Sequence, residues 1–296
     1  MKAQENLLPV GSTVGVVGRD NRRIGSILEE EGRLDADDIE RVMALQKLEG
    51  LRFGDAALRL GMIKVADLHR TIAKQYDLPH LLPGNDSISD ELVIAHDPFS
   101  PRAEELRGLR TQLLVRWSNA GVKRPVLAIV SPGAGEGRTY VAANLAVAFS
   151  QLGERTLLID ADLRSPRQHL IFNVPNRIGL SAVLSGRAGR SAVAPVPEFG
   201  PLSLLPAGAR PPNPQELLSG LGLAVLLHEL RAEFDVIVLD TAPARPYADA
   251  QVVAFRAGCA LVVARKDGTR LADTKTMIRE MGDMGAQVVG TVFNAC

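Results

Sequence analysis

The stretch Ser131–Thr139, read as Ser-Pro-Gly-Ala-Gly-Glu-Gly-Arg-Thr, constrains the fold of this chain more than any other. It follows an apolar run, Val126–Val130, and opens a strongly helical run, Tyr140–Leu152. Strand, glycine turn and helix N-terminus, in that order, make a phosphate-binding loop. The glycines let consecutive backbone N–H groups curl around phosphate oxygens, and the helix N-terminus adds positive dipole. The candidate nucleotide-contacting residues are Gly133, Gly135, Glu136, Gly137, Arg138, Thr139 and Tyr140. Thr139 stands where a hydroxyl would ligate Mg²⁺. Arg138 occupies the place before that hydroxyl where lysine is usual. Lysine is a compact charge with rotatable donors, whereas arginine is a longer planar fork.

From Pro125 onward apolar runs alternate with helical ones. The expected strands are Val126–Val130, Thr156–Ile159, Leu202–Leu205, Phe234–Leu239, Cys259–Ala264 and Val288–Phe293. The fold class that follows is α/β: a P-loop NTPase with a mostly parallel sheet flanked by helices, preceded by a small helical repeat domain. Function in such sheets gathers at the strands' C-terminal ends. Asp160, Asp162 and Asp240 all fall at such ends. With Thr139 they are placed to hold Mg²⁺ beside the phosphates of ATP. Asp160, Asp162 and Arg138 form the candidate catalytic set, with Asp160 as base for an acceptor hydroxyl. Arg164 follows closely and can pair with Asp162 or reach the γ-phosphate. Asn294, just past the last strand, is either an adenine contact or a turn residue.

The chain before this region divides into a loose segment 1–20, a helical tandem-repeat domain 21–82 and a linker 83–101; the P-loop domain takes 102–296. Two copies of one pattern recur at an offset of about 29 residues. One runs through Arg23, Gly25, Gly32, Leu34, Ile39 and Gln46, the other through Arg52, Gly54, Gly61, Ile63, Leu68 and Gln75. Each reads as a short helix ended by glycine and a second helix, with Asp35 as an N-cap. Beyond the linker, Glu104, Arg107 and Arg110 recur every three residues and so share one helix face. That face is either solvated around an internal ion pair or paired with a neighbouring subunit.

Composition narrows the partners. Net charge is +0, which removes the bulk electrostatic grip expected of a nucleic-acid binder. Aromatic residues make up only 4%, too few for a base-stacking surface. No apolar run approaches the roughly 20 residues of a membrane span, so direct membrane insertion is not expected. The N-terminus has no secretory pattern, and the expected compartment is the cytoplasm. Cys259 and Cys296 make neither a metal spacing nor a disulfide framework.

The region from Phe99 to Cys296 resembles the bacterial tyrosine kinases of capsule and exopolysaccharide export. The loop stands for their Walker A. Leu157–Arg164 fits a motif of three apolar residues and Asp-x-Asp-x-Arg, and Ile237–Pro243 fits a Walker B of three apolar residues and Asp-x-x-Pro. Glu104, Arg107 and Arg110 fit the family's Glu-x-x-Arg-x-x-Arg helix, which implies subunits joined in a ring. The repeat half resembles the N-terminal domain of type II secretion ATPases and the MshE N-terminal domain. Some members of that group bind cyclic di-GMP, which implies Arg23, Gly25, Gly32, Arg52, Gly54 and Gly61 as its contacts; the other reading is a docking module without ligand. This chain departs from that pattern at Ile24, Glu29, Phe53 and Ala57. The whole resembles the EpsG type of kinase, associated with a chain-length determinant protein.

The resemblance implies an ATP-dependent tyrosine autokinase regulating exopolysaccharide polymerisation and export. It also implies a membrane polysaccharide co-polymerase as partner and a peripheral place at the inner membrane through it. These kinases usually phosphorylate a tyrosine-rich tail, whereas this sequence has only Tyr76, Tyr140 and Tyr247. A catalytically weak nucleotide-binding scaffold is the second reading, and a ParA/MinD-type ATPase the third. That last class carries a signature lysine at the start of its loop, where Gly133 stands here.

Overall fold

The computed structural model describes residues 23–75, 88–123 and 125–295. Two compact units result, Met1–Leu78 and Pro79–Cys296. The expected loose segment 1–20, the first part of the expected linker, Tyr76 and Cys296 lie outside the described residues.

In the first unit α1 (Ile24–Glu30) and α2 (Ala36–Glu49) are matched by α3 (Phe53–Arg59) and α4 (Val65–Gln75). The repeat is geometric as well as sequential. Arg23 and Arg52 hold the N-cap positions of α1 and α3 with nearly the same extended backbone, and both are exposed. Gly32 and Gly61, at φ 65° and 68°, turn the chain out of those helices in the left-handed region that glycine tolerates. Gly25 and Gly54 have a different task. A Cβ on Gly25 would meet the Phe53 ring at 3.1 Å, and one on Gly54 would meet Leu68 at 2.5 Å. Asp35 caps α2 as expected: its carboxylate accepts from Asp38 N–H, and Asp38 answers from the Asp35 N–H. Leu28, Leu34, Val42, Ala56, Ala57, Ile63 and Leu68 form the core.

The second unit opens on residues 88–101, part of the expected linker. They pack instead of spanning. Ile88, Leu92, Ile94 and Ala95 are buried in the main core, the last two within α5 (Val93–His96). The long helix α6 (Pro101–Asn119) is capped by Ser100 Oγ, which accepts from Ala103 N–H, and proline stands at its first position. Then come β1 (Val126–Val130), α7 (Arg138–Ser150), β2 (Thr156–Asp160), α8 (Gln168–Ile171) and α9 (Leu180–Leu184). They are followed by β3 (Ala194–Pro195), β4 (Leu202–Leu205), α10 (Pro214–Ser219), α11 (Leu221–Leu230) and β5 (Val236–Asp240). The series closes with α12 (Asp249–Ala257), β6 (Cys259–Arg265), α13 (Leu271–Asp283) and β7 (Gln287–Asn294).

The sheet runs β3-β4-β2-β5-β1-β6-β7 and is parallel except for the β3–β4 pair. Its central strands β1, β2 and β5 are buried on both faces, and alternate residues feed opposite layers. Leu127 and Ile129 of β1 join the core under α6 and α7, while Val126, Ala128 and Val130 join the core under α10 to α13. Each such side chain contributes about 1.5–3 kcal/mol by leaving water. Because β1, β2 and β5 are neighbours in register, Asp160 lies opposite Asp240, beside the loop that leaves β1. Among the described residues, no helix is long and apolar enough to cross a membrane.

Candidate functional site: a phosphate pocket at the strand ends

The loop leaving β1 is held from below by its own side chains and from the side by the ends of β6 and β7. Ser131 Oγ donates to Gly133 O (2.9 Å). The Glu136 carboxylate accepts from Gly133 N–H (2.8 Å) and from Thr269 Oγ (2.6 Å). Arg265 Nη1 donates to Gly135 O (3.3 Å). Gly137 sits at φ 98°, and a Cβ there would lie 2.2 Å from Asn294 Nδ2. Only glycine fits that backbone. Asn294, read from sequence as an adenine contact or a turn residue, donates instead to Glu136 O (3.2 Å) and so braces the loop. Glu136 is likewise a brace, since its carboxylate takes a loop N–H for itself.

Arg138 departs most from expectation. Its side chain turns inward and is only 7% exposed. Nε donates to Thr241 O (2.8 Å), and Nη1 donates to Gly133 O (2.5 Å) and to Ser131 Oγ. Burial lowers its pKa, opposed by the charges of Asp240, Asp162 and Glu136. The guanidinium therefore ties strand ends together through main-chain carbonyls, a use its five donors suit. Arg138 still lines the open pocket, and Nη2, which takes no part in those bonds, is the group it keeps for phosphate.

The three strand-end aspartates are brought together but not made equivalent. Asp160 is fully buried and accepts from the N–H groups of Gln168 (3.0 Å), Arg167 (3.1 Å) and Asp162 (3.2 Å). Burial and the neighbouring Asp240 charge carry its pKa well up, against the pull of the Gln168 and Arg167 N–H bonds. Its carboxylate shapes the turn after β2, which corrects the expectation of a base open to an acceptor hydroxyl. Asp240 is buried too, and burial lifts its pKa to about 6 against the hydrogen bond from Gln168, the Arg138 charge and the Thr139 hydroxyl. Gln168 Nε2 donates to Asp240 Oδ2 (2.9 Å) and to Thr139 O (3.1 Å). Asp162 is the aspartate that lines the open pocket. Its Oδ1 accepts from Arg164 N–H (3.1 Å) and Ser165 N–H (2.9 Å).

That pocket has a volume of about 530 Å³ and is lined by Gly135, Gly137, Arg138, Thr139, Tyr140 and Asp162. Its lining also holds residues that sequence reasoning did not assign to the site: Arg167, Arg210 and Tyr247. Arg164 also faces it, gripped in two bonds by the buried Asp249 (Nε–Oδ2 2.7 Å, Nη2–Oδ1 3.0 Å) and lying 3.7 Å over the Tyr247 ring. Arg167 pairs with Glu91 (2.6 Å). Asp249 is 85 residues from Arg164 in the chain, a pairing with no local signal. The pairing with Asp162 that the sequence allowed for Arg164 reduces to a backbone bond.

The residues fit a nucleotide with its metal. Asp240 Oδ1 is buried without a hydrogen-bond partner among the described residues, an acceptor short of a proton or a cation-bound water. Among the described residues no group of three or more His, Cys, Asp or Glu is set to hold a metal by itself. Mg²⁺ does not require such a cage: it is usually held by one or two protein oxygens, waters and phosphate. Thr139 and the Asp162 and Asp240 carboxylates can supply that share.

Within the single chain, the helix face of Glu104, Arg107 and Arg110 makes contacts of its own. Arg107 pairs with Glu104 (3.0 Å), and Arg110 Nη1 donates to Ala148 O (2.9 Å) at the end of α7.

Residues 127–295 match the CobQ/CobB/MinD/ParA nucleotide binding domain, which defines the class: a nucleotide-binding P-loop domain. Over 204 residues the chain is 35% identical to the putative tyrosine-protein kinase CapB of Staphylococcus aureus, covering 68% of this chain and 88% of that one. Against tyrosine-protein kinase YwqD of Bacillus subtilis the identity is 32%, covering 69% and 85%. The match to the tyrosine-protein kinase wzc of Salmonella typhimurium, 33% identical over 69% of this chain, spans only 28% of that longer protein. The kinase domain of Escherichia coli tyrosine kinase ETK superposes with a TM-score of 0.66 at 28% identity, covering 69% and 79%. The chain belongs to the family of bacterial tyrosine kinases of capsule and exopolysaccharide export.

Proposed function

We propose that this chain binds ATP with Mg²⁺ at Ser131–Thr139 and acts as a tyrosine kinase that regulates exopolysaccharide polymerisation and export. One observation carries the reading: a phosphate loop, a pocket carboxylate (Asp162) and four arginines (Arg138, Arg164, Arg167 and Arg210) line one open pocket at the strand ends. Catalysis of phosphoryl transfer is mostly positioning and charge neutralisation. In this reading Thr139, with Asp162 and Asp240, serves the metal. Arg164 and Arg167 face the transferred group, and Arg138 holds the floor of the loop. Bound Mg²⁺ supplies charge neutralisation at the phosphates. The chain works beside the cytoplasmic segment of a membrane chain-length determinant, and so at the inner membrane. Self-association uses the α6 face, once Arg110 leaves Ala148 O.

A second reading is a nucleotide-binding scaffold with little transfer chemistry, and Arg138 favours it. A guanidinium whose Nε and Nη1 are spent on Thr241 O, Gly133 O and Ser131 Oγ keeps only Nη2 for phosphate. Radiolabelled ATP separates the two: phosphotyrosine on the purified chain, with the partner's cytoplasmic segment present, supports the kinase. Nucleotide binding without phosphotyrosine, rescued by Arg138→Lys, supports the scaffold and identifies what limits it. The first unit is proposed as a docking module in either case, because Gly25, Gly32, Gly54 and Gly61 already have packing and turn roles. Heat on titrating the full chain with cyclic di-GMP at micromolar protein overturns that assignment.

A further inference from the structure

Of the arginines that line the nucleotide pocket, three are already engaged. Arg138 spends Nε and Nη1 on Thr241 O, Gly133 O and Ser131 Oγ. Arg164 is gripped by the buried Asp249, and Arg167 pairs with Glu91. Arg210 is exposed and, among the described residues, makes no hydrogen bond or ion pair. We infer that Arg210 reads the terminal phosphate of a nucleoside triphosphate, and so sets the preference of this pocket for triphosphate over diphosphate.

The guanidinium is unspent, but its backbone is fixed. Arg210 sits in the turn between β4 and α10. Leu180 N–H donates to Pro206 O (2.8 Å) and Ser181 N–H to Ala207 O (2.9 Å). Ser181 Oγ donates to Ala209 O (2.7 Å), and Gly208 N–H donates to Asn176 Oδ1 (2.7 Å). A Cβ on Gly179 would lie 2.1 Å from Pro206 O, so the turn and the start of α9 approach as closely as bare backbone allows. Pro211, which is buried, follows Arg210 directly and holds that residue to extended backbone. A cation on a fixed stem gives up less freedom when an anion arrives than one on a loose loop.

Sheet order says which phosphate it meets. The phosphate loop leaves β1, Asp162 follows β2, and Arg210 follows β4, the neighbour of β2 on the side away from β1. The loop N–H groups and the α7 N-terminus suit the inner phosphates. Mg²⁺ in such sites bridges the last two phosphates, so the Asp162 side of the pocket is the terminal-phosphate side. A guanidinium entering from β4 meets oxygens there that a diphosphate lacks. Its planar fork matches them with charge-assisted hydrogen bonds. Arg164 and Arg167 must first loosen a carboxylate to do the same, whereas Arg210 has none to release.

The inference rests on the nucleotide reading, and its test separates the two. The full chain is titrated by calorimetry, with Mg²⁺ present, against ADP and against adenylyl imidodiphosphate, a non-hydrolysable triphosphate. Arg210→Ala is expected to lower the ratio of triphosphate to diphosphate affinity about tenfold, the loss of one charge-assisted hydrogen bond. Arg210→Lys, which keeps the charge without the fork, recovers part of that ratio. ADP binding by each variant shows that it is folded. A ratio that does not move in Arg210→Ala, whether both affinities hold or both fall together, overturns the inference and leaves the nucleotide reading standing. Failure of the unaltered chain to bind either nucleotide overturns both.

Discussion

The two units use recurrent glycines for opposite ends. In the helical repeats, Gly25 and Gly54 let one helix press on its neighbour's side chains, and Gly32 and Gly61 turn the chain. Every glycine of that motif is accounted for by the unit's own packing. In the phosphate loop, the glycines shape backbone that faces an open pocket, and the side chains around them brace rather than fill it. The motif's arginines, Arg23 and Arg52, stay exposed; it is its glycines that specify a fold. A motif that leaves donors and an unpartnered carboxylate oxygen specifies a fold and a ligand.

Substitutions can break this contrast. The largest effect is expected for Asp249→Ala, which strands Arg164 beside a buried void. Asp249 is buried but Arg164 also faces the open pocket, so the cost lies below the about 3–5 kcal/mol of breaking a fully buried pair. Thermal unfolding of the second unit should drop accordingly and nucleotide affinity should fall with it. Gly54→Ala comes next, at about 1–3 kcal/mol of overpacking against Leu68. It should lower the melting of the first unit and leave ADP affinity alone; a change in ADP affinity would join two units that the contrast keeps apart. Gly137→Ala should do the reverse, weakening ADP binding through about 1–2 kcal/mol of left-handed backbone strain and its clash with Asn294, with the first unit unmoved. The smallest effect is on pH dependence. Asp240 has its pKa raised from 3.8 to about 6. Between those values the native state keeps a proton that the unfolded chain releases. The stabilising contribution is thus full below pH 4 and lost as pH rises through 6. Denaturant titrations from pH 4 to 7 should show that decline, and Asp240→Asn should flatten it.

Much of the second unit was legible because its signals are local. Apolar runs gave six of the strands to within a residue or two, and the aspartates followed at their ends. The two-residue β3 carries too little sequence to be seen, and residues 88–101, rich in polar and turn-forming types, hid a buried Ile88, Leu92 and Ile94. Residue type at the site was readable, whereas side-chain direction was not. Arg138 could have faced the phosphate or the loop carbonyls, and three buried carbonyl and hydroxyl acceptors decided for the latter. Asp160 was found by its motif, but its role as a turn anchor depends on N–H groups seven and eight residues on. Tyr247 and Asp249 reach the site through the chain path after β5, which composition and spacing do not encode.

The central claim is that Ser131–Thr139, with Thr139 and Asp162, forms a Mg²⁺–nucleotide site. Calorimetric titration of the full chain with ADP, with and without Mg²⁺, tests it most directly. The account predicts one nucleotide per chain, tighter with Mg²⁺, and weakened by Thr139→Val mainly when Mg²⁺ is present. Absence of binding at millimolar ADP, or binding indifferent to both Mg²⁺ and Thr139→Val, would contradict it.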